Sequence, residues 1–224
     1  MLEIRDLIHR YRPGEPPVLT LDDFRVDPGE QVVVTGKSGS GKSTLLHLSA
    51  GLMEPSRGGI RVDGVELRTL RAARRDRFRG RRIGMVFQTF HLLHGFSAKE
   101  NILAALMFSD MPAAAHEKRA DQLLGVLGIQ RPNARVDTLS IGQQQRVAVA
   151  RAVACSPALV LADEPTASLD PELARAALDL LQGACRSCGS ALVCVTHDRS
   201  IVDRFDRHVD LASAAGSGGE HGDA

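Results

Sequence analysis

The chain has 224 residues, 43% of them hydrophobic, and its 28 basic and 27 acidic side chains leave a net charge of +1. That length suits one substantial domain, and so even a charge balance sets up no field for gathering nucleic acid, so no nucleic-acid partner is expected. No apolar run approaches the roughly 20 residues that cross a bilayer, and Met1 to Tyr11 carries charges where a signal peptide would carry an apolar core.

Leu2 to Ile8 alternates apolar and polar residues, the pattern of a half-exposed strand. Arg12 to Pro17 breaks it. Val18 to Val26 reads as a second strand and Asp27-Pro28-Gly29-Glu30 as a turn. Gln31 to Thr35 is a buried strand, and it runs into Gly36-Lys37-Ser38-Gly39-Ser40-Gly41-Lys42-Ser43. This stretch fits the phosphate-binding loop pattern G-x-x-x-x-G-K-[ST], and a helix from Ser43 through Thr44 to Leu48 supplies the context the pattern needs. Glycines let backbone N–H groups turn inward around an anion, and the helix start adds partial positive charge. Lys42 then reaches the outer phosphates, and the Ser43 hydroxyl ligates Mg²⁺.

Glu54 to Gly59 is a loop, Ile60 to Val62 a short strand, and Asp63-Gly64 a turn. Seven arginines fall between Arg71 and Arg82. Such a run is most simply a solvated face; the sharper alternative is contact with anionic headgroups or an acidic partner. Ile83 to Phe87 is a strand ending at Gln88. Ala98 to Phe108, Ala113 to Leu127 and Gly142 to Ala154 follow with helical spacing, and read as a helical insert. Ser140 stands where it would cap the third of these helices, and a helix start is an anion site.

Ala158 to Ala162 is apolar throughout, as expected of a strand buried on both faces. Asp163 and Glu164 follow at its carboxyl end, where open parallel sheets hold ligands. Asp163 fits the acid on the Mg²⁺ side, and Glu164 is placed to take a proton from water. Pro171 to Arg186 is a helix with proline at its start, Ala191 to Val195 a second buried strand, Asp198 to Phe205 a short helix and His208 to Leu211 a last strand. Residues 212–224 are Gly/Ser-rich and expected to be disordered. Cys185 and Cys188 form a lone C-x-x-C without a second pair for zinc, so they and Cys155 and Cys194 read as ordinary reduced thiols.

From about Leu2 to Leu211 the sequence resembles the ATP-binding cassette (ABC) ATPases. Leu139-Ser140-Ile141-Gly142-Gln143 is similar to their Leu-Ser-Gly-Gly-Gln signature, with Ile141 in place of a glycine. A β-branched residue excludes the positive φ that glycine allows. Asp163-Glu164-Pro165-Thr166 looks like the family's acidic strand end, and Ser168-Leu169-Asp170 like the loop after it. His197 looks like its switch histidine, Gln88 like its glutamine loop, and Tyr11 falls where an aromatic stacks on adenine.

The resemblance implies an α/β fold: a P-loop NTPase core (about 1–94 and 155–211) with an N-terminal antiparallel β subdomain and an inserted α-helical subdomain (about 95–154). It implies ATP and Mg²⁺ as cofactors, with Ser43, Gln88 and Asp163 at the metal. Tyr11, Gly36, Ser38, Gly39, Gly41, Lys42, Ser43, Thr44, Ser140, Gly142, Gln143 and Asp170 are expected at the nucleotide or the dimer interface. Lys42, Gln88, Glu164 and His197 are expected to act in hydrolysis. It further implies a head-to-tail pair of ATPase subunits, each ATP lying between the phosphate loop of one and the signature helix of the other. Phe87 to Leu93, Glu100-Asn101-Ile102 and Ala162 to Asp170 are similar to the lipoprotein-release, macrolide-export and cell-division subgroup. The partner is then a separate membrane permease, and the chain sits in the cytoplasm on the inner face of the membrane. Phe90 to Leu93, with Phe96 and Leu103, serves either to dock that permease or to fill the insert's own core. The alternatives are a soluble ABC ATPase acting on nucleic acid, ribosomes or cofactor assembly, and a P-loop kinase or GTPase; the guanine motif Asn-Lys-x-Asp is absent.

Overall fold

A computed structural model of the chain describes residues 1–167 and 169–211; the tail expected to be disordered, and Ser168, lie outside them. Strands β1 (Leu2–His9), β2 (Leu19–Val26), β4 (Arg57–Val62) and β5 (Val65–Glu66) form an antiparallel sheet in the order β2-β1-β4-β5. β3 (Gln31–Thr35), β6 (Ile83–Val86), β7 (Leu159–Asp163), β8 (Ala191–Thr196) and β9 (Arg207–Asp210) form a second sheet, order β6-β7-β8-β3-β9, with every pairing parallel. The expected loop at 54–59 is partly strand, because β4 starts at Arg57 and pairs along β1.

The inner strands β3, β7 and β8 are buried on both sides, and alternate residues of the sheet feed two cores. Leu159, Leu161, Val193 and Val195 join Leu45, Leu46 and Leu48 of α1 (Lys42–Ser49) and the apolar face of the antiparallel sheet. Val160, Ala162, Leu192 and Cys194 face the other way. There they meet α5 (Ile141–Val153) and α6 (Pro171–Cys188), and the same cluster runs on into α3 (Ala98–Leu106) and α4 (His116–Val126). The period of two along each strand is what makes two cores from one sheet. Phe90 and Leu92 are buried in this second core, while Leu93 and Phe96 stay 41% and 48% exposed. The Phe90–Leu93 stretch therefore divides between core and surface.

The arginine run forms a helix, α2 (Ala72–Arg82), with no buried residue. It is not uniformly solvated. Arg75 pairs with Glu54 at 2.5 Å, Arg79 with Asp76 at 2.7 Å, Arg81 with Asp110 at 2.7 Å, and Arg82 with Asp63. The pairs with Glu54, Asp110 and Asp63 tie α2 to three other segments, which spacing along the chain could not reveal.

Gly84 of β6 lies against the end of α5. A Cβ there would stand 2.2 Å from the Ala152 carbonyl oxygen and 3.2 Å from Pro157 Cγ. Backbone cannot yield as a side-chain tip does. Gly84→Ala is expected to lower stability by about 1–3 kcal/mol, read as a reduced urea midpoint with an unchanged slope.

Candidate functional site

Parallel pairing places the ends of four strands along one edge. In the order of the sheet these are Gln88 after β6, Asp163 and Glu164 at β7, His197 after β8, and the phosphate loop after β3. Thr35 registers with Thr196, and Asp163 with Val195. Residues far apart in sequence thus share one crevice, where doubly wound sheets bind ligands.

The loop from Gly36 to Ser43 is formed. Gly39 and Gly41 have φ of 78° and 90°, and a Cβ on Gly41 would sit 2.9 Å from the Val18 carbonyl oxygen. Gly41 also precedes α1 without any side-chain cap, so the first amides of that helix are open to an anion. Lys42 is 8% exposed. Its ammonium donates to the carbonyls of Gly36 (2.9 Å) and Lys37 (3.1 Å), curling back over the loop it follows. Ser38 and Gly39 are exposed at the tip. Ser43 donates to Asp163 Oδ1 at 3.2 Å. Burial pushes the Asp163 carboxyl above its ordinary pKa, and the Ser43 hydrogen bond opposes this. A hydroxyl and a carboxylate side by side are hard oxygen donors, which suit Mg²⁺ completed by phosphate oxygens and water. Among the described residues no three His, Cys, Asp or Glu side chains converge as an all-protein metal site.

Glu164 has a left-handed backbone, φ 47°. Its carboxylate makes three contacts with the end of β8, leaving acceptor capacity on Oε1. It accepts from Thr196 Oγ1 at 3.0 Å and from the His197 amide at 3.3 Å, and it lies 2.9 Å from His197 Nδ1. The imidazole itself is two-thirds exposed, while the Glu164 side chain is 13% exposed. The pair is therefore a shielded carboxylate orienting an accessible ring. Thr196 was not singled out in the sequence; a hydroxyl on the last residue of a buried strand was the available signal.

The second helix start is built as expected. Ser140 Oγ accepts from the Gln143 amide (3.4 Å), and Gln143 Oε1 accepts from the Ser140 amide (3.1 Å), a reciprocal capping box. Of the four amides a helix start leaves open, those of Ile141 and Gly142 are thus the ones left for an anion. Ile141 is the first residue of α5, is 54% exposed, and is not among the residues with positive φ. The backbone here does not need the glycine that usually occupies the place. A Cβ on Gly142 would meet nothing within 4 Å. No hydrogen bond among the described residues joins this helix start to the phosphate loop.

Asp170 caps α6, accepting from the Glu172 and Leu173 amides at 3.1 and 3.0 Å. Tyr11 is 57% exposed. Its ring stands edge-on to His9 at 5.2 Å, and its hydroxyl lies 2.9 Å from Thr44 Oγ1. Gln88 is exposed in the turn after β6, and no hydrogen bond among the described residues engages its side chain. Gln145, which sequence did not mark, is buried and donates to the Pro165 carbonyl at 2.9 Å, tying α5 to the turn that follows Glu164.

Comparison with known proteins agrees with this geometry. Residues 19–167 match the family model described as "ABC transporter". The chain is 39% identical over 214 residues to the lipoprotein-releasing system ATP-binding protein LolD of Pseudomonas fluorescens, covering 94% of each chain. The protein of the same name from Chromohalobacter salexigens is 40% identical over 214 residues, 94% of this chain and 90% of that one. Among solved structures, the dimeric post-hydrolysis ATP-binding cassette MJ0796 with ADP and Pi superposes with a TM-score of 0.82, at 33% identity and 94% of both chains. CbiO1 of Clostridium perfringens, described as part of an ABC transporter complex, gives 0.83 at 29% identity, over 93% of this chain and 83% of that one. With a formed phosphate loop, acids at the adjoining strand ends and relatives alike over nearly their whole length, the chain belongs to the ABC transporter family as an ATP-binding, ATP-hydrolysing subunit.

Proposed function

We propose that this subunit works as a head-to-tail pair and drives a separate membrane permease, in lipoprotein release or related transmembrane work. One observation carries the pairing. The chain has two helix starts with open amides, α1 without a side-chain cap and α5 with Ile141 and Gly142 left over by its capping box, and no hydrogen bond among the described residues joins them. In a pair, the Ile141 and Gly142 amides and the Ser140 hydroxyl of one copy would face the phosphates held by Lys42 and the 36–43 loop of the other. Asp170 would lie near that interface, and Gln143 would hold the helix start in shape. We assign residues 1–211 to one cassette, since helices of the 95–154 insert share a core with the parallel sheet.

For hydrolysis, Glu164 orients water and takes its proton, and His197 holds charge at the departing phosphate. Ser43 and Asp163 would hold Mg²⁺ with Gln88 beside it, and the ion would neutralise phosphate charge. Tyr11 would stack on the adenine above Thr44. A groove of about 610 Å³ between α2 and the insert, lined by Leu52, Phe87, His91, Ala105 and Phe108 among others, is the proposed seat for the permease. Its apolar walls suit a buried helix face. No helix among the described residues is long and apolar enough to cross a membrane, so attachment at the cytoplasmic face would come through that seat. The names of the LolD relatives support the lipoprotein reading.

Glu164→Gln is expected to cut turnover by at least about a hundredfold and to leave a dimer with ATP and Mg²⁺, seen by light scattering. A variant that hydrolyses normally and stays monomeric would sink the role given to Glu164. Asp163 makes a prediction about pH. Its folded pKa is raised, so its carboxylate form costs stability once pH climbs through the folded value, and neutral Asn avoids that cost. At pH 7, nucleotide-free Asp163→Asn should melt higher than the parent, yet lose the extra stabilisation that Mg²⁺ with ATP confers. Ile141→Gly should keep or raise ATPase activity, since the helix start already has its shape; a large loss would reveal a contact made by the isoleucine in the dimer.

A further inference from the structure

The loop that carries Gln88 adopts a conformation its own residues disfavour. Phe90 and His91 are both left-handed, with φ of 59° and 45°, a region that bulky L-residues seldom enter even singly. Local bonds close the turn: the Phe90 amide donates to Phe87 at 3.0 Å and the His91 amide to Thr89 at 2.7 Å. The His91 ring stacks on Phe87, with centroids 4.6 Å apart and planes 21° apart. The carbonyls of the same two residues turn toward α5, where a single side chain meets both. Arg151 Nη1 donates to the His91 carbonyl at 2.5 Å, and Nη2 to the Phe90 carbonyl at 2.7 Å. No acid among the described residues pairs with Arg151. Burial alone pulls its pKa below the ordinary arginine value. A guanidinium drawn out of water and spent on two carbonyls of one strained turn has the geometry of a clamp, because only its planar fork presents two parallel donors.

We propose that Arg151 is the positioning residue of the Gln88 loop: its fork holds the left-handed Phe90–His91 turn and thereby fixes where Gln88 stands at the carboxyl edge of the sheet. Strained turns persist where surrounding contacts over-determine them, and they cluster at switches. Arg151, His91 and Phe87 also line the 610 Å³ groove beside α2, so whatever enters that groove touches the clamp itself. The inference rests on Gln88 belonging to the ATPase site.

The test combines ATPase kinetics with amide hydrogen exchange on the full chain. Arg151→Lys keeps the charge and loses the fork. It should lower kcat by about tenfold or more, as small misplacements of a site residue do, with the KM for ATP unchanged. Exchange should quicken at residues 88–93 and stay slow in α5 and β6. His91→Gly removes one left-handed penalty, and in the Arg151→Lys background it should restore much of the lost kcat. Parent-like turnover and exchange in Arg151→Lys would overturn the clamp. So would faster exchange throughout α5 and β6, which marks a packing role, or no recovery from His91→Gly. Gln88→Ala separates the two readings. Full activity in that variant removes Gln88 from the site, while the clamp is still judged by exchange at residues 88–93.

Discussion

The chemistry depends on one constraint, the side-by-side parallel pairing of β7 with β8 and β8 with β3. Parallel strands all end on the same edge, so each contributes its following loop to one crevice. The phosphate loop, the Asp163-Glu164 pair and Thr196-His197 come together for this reason alone. The bonds between them, Ser43 to Asp163 and Thr196 to Glu164, then hold loops whose strands are already in register. A slip of one residue in β7 would exchange Asp163 for Glu164 and turn every buried side chain of the strand to the opposite core. The double burial of these strands is therefore what keeps the acids in place.

Three of the six described non-glycine residues with positive φ lie in the loops that follow the parallel strands. Glu164, Phe90 and His91 are left-handed without being glycine, at a cost of roughly 1–2 kcal/mol each. Each is held by contacts from another element. For Glu164 these come from Thr196 and His197 of the neighbouring strand end; for Phe90 and His91 they come from Arg151 on α5. The sheet supplies rigidity, and the loops carry conformations that would relax if their long-range partners moved.

What was legible in the sequence was whatever is specified locally. The phosphate loop, the doubly buried strands and the Ser140 cap could be read because glycine spacing, apolar runs and an N-cap act within a few residues. The helical insert was legible from its period, although the first turn of the 113–127 segment is a 3-10 helix (Ala113–Ala115). The arginine run was not readable, because its meaning lies in Glu54, Asp63 and Asp110, acids from three other segments. At Ile141 the sequence shows only that glycine's positive φ is excluded, not whether the backbone needs it. The residue's place at the first turn of α5 requires only ordinary helical φ, so what glycine supplies there is room and not conformation. Gln145 and Arg151 carry no local signal at all, and Thr196 only that of a hydroxyl at the end of a buried strand. Each acts on a residue that only the fold brings near.

α5 is the element in which these strands of the argument meet. Its first residues present the Ile141 and Gly142 amides outward, Gln145 bonds to the turn beyond Glu164, and Arg151 near its far end grips the Gln88 loop. A helix of 13 residues is a rod about 20 Å long, and this one is packed on opposite sides by Val147 and by Val149 and Val153. A rod so packed moves as a unit or hardly at all. An anion captured at its start by a second copy, and a permease segment pressing on the groove beside Arg151, would therefore act on the same rigid body from its two ends. Coupling between nucleotide and membrane partner then needs no chain of small side-chain shifts. If the rod shifted against the parallel sheet, the Gln88 turn bonded to Arg151 and the turn after Glu164 bonded to Gln145 would both move with it.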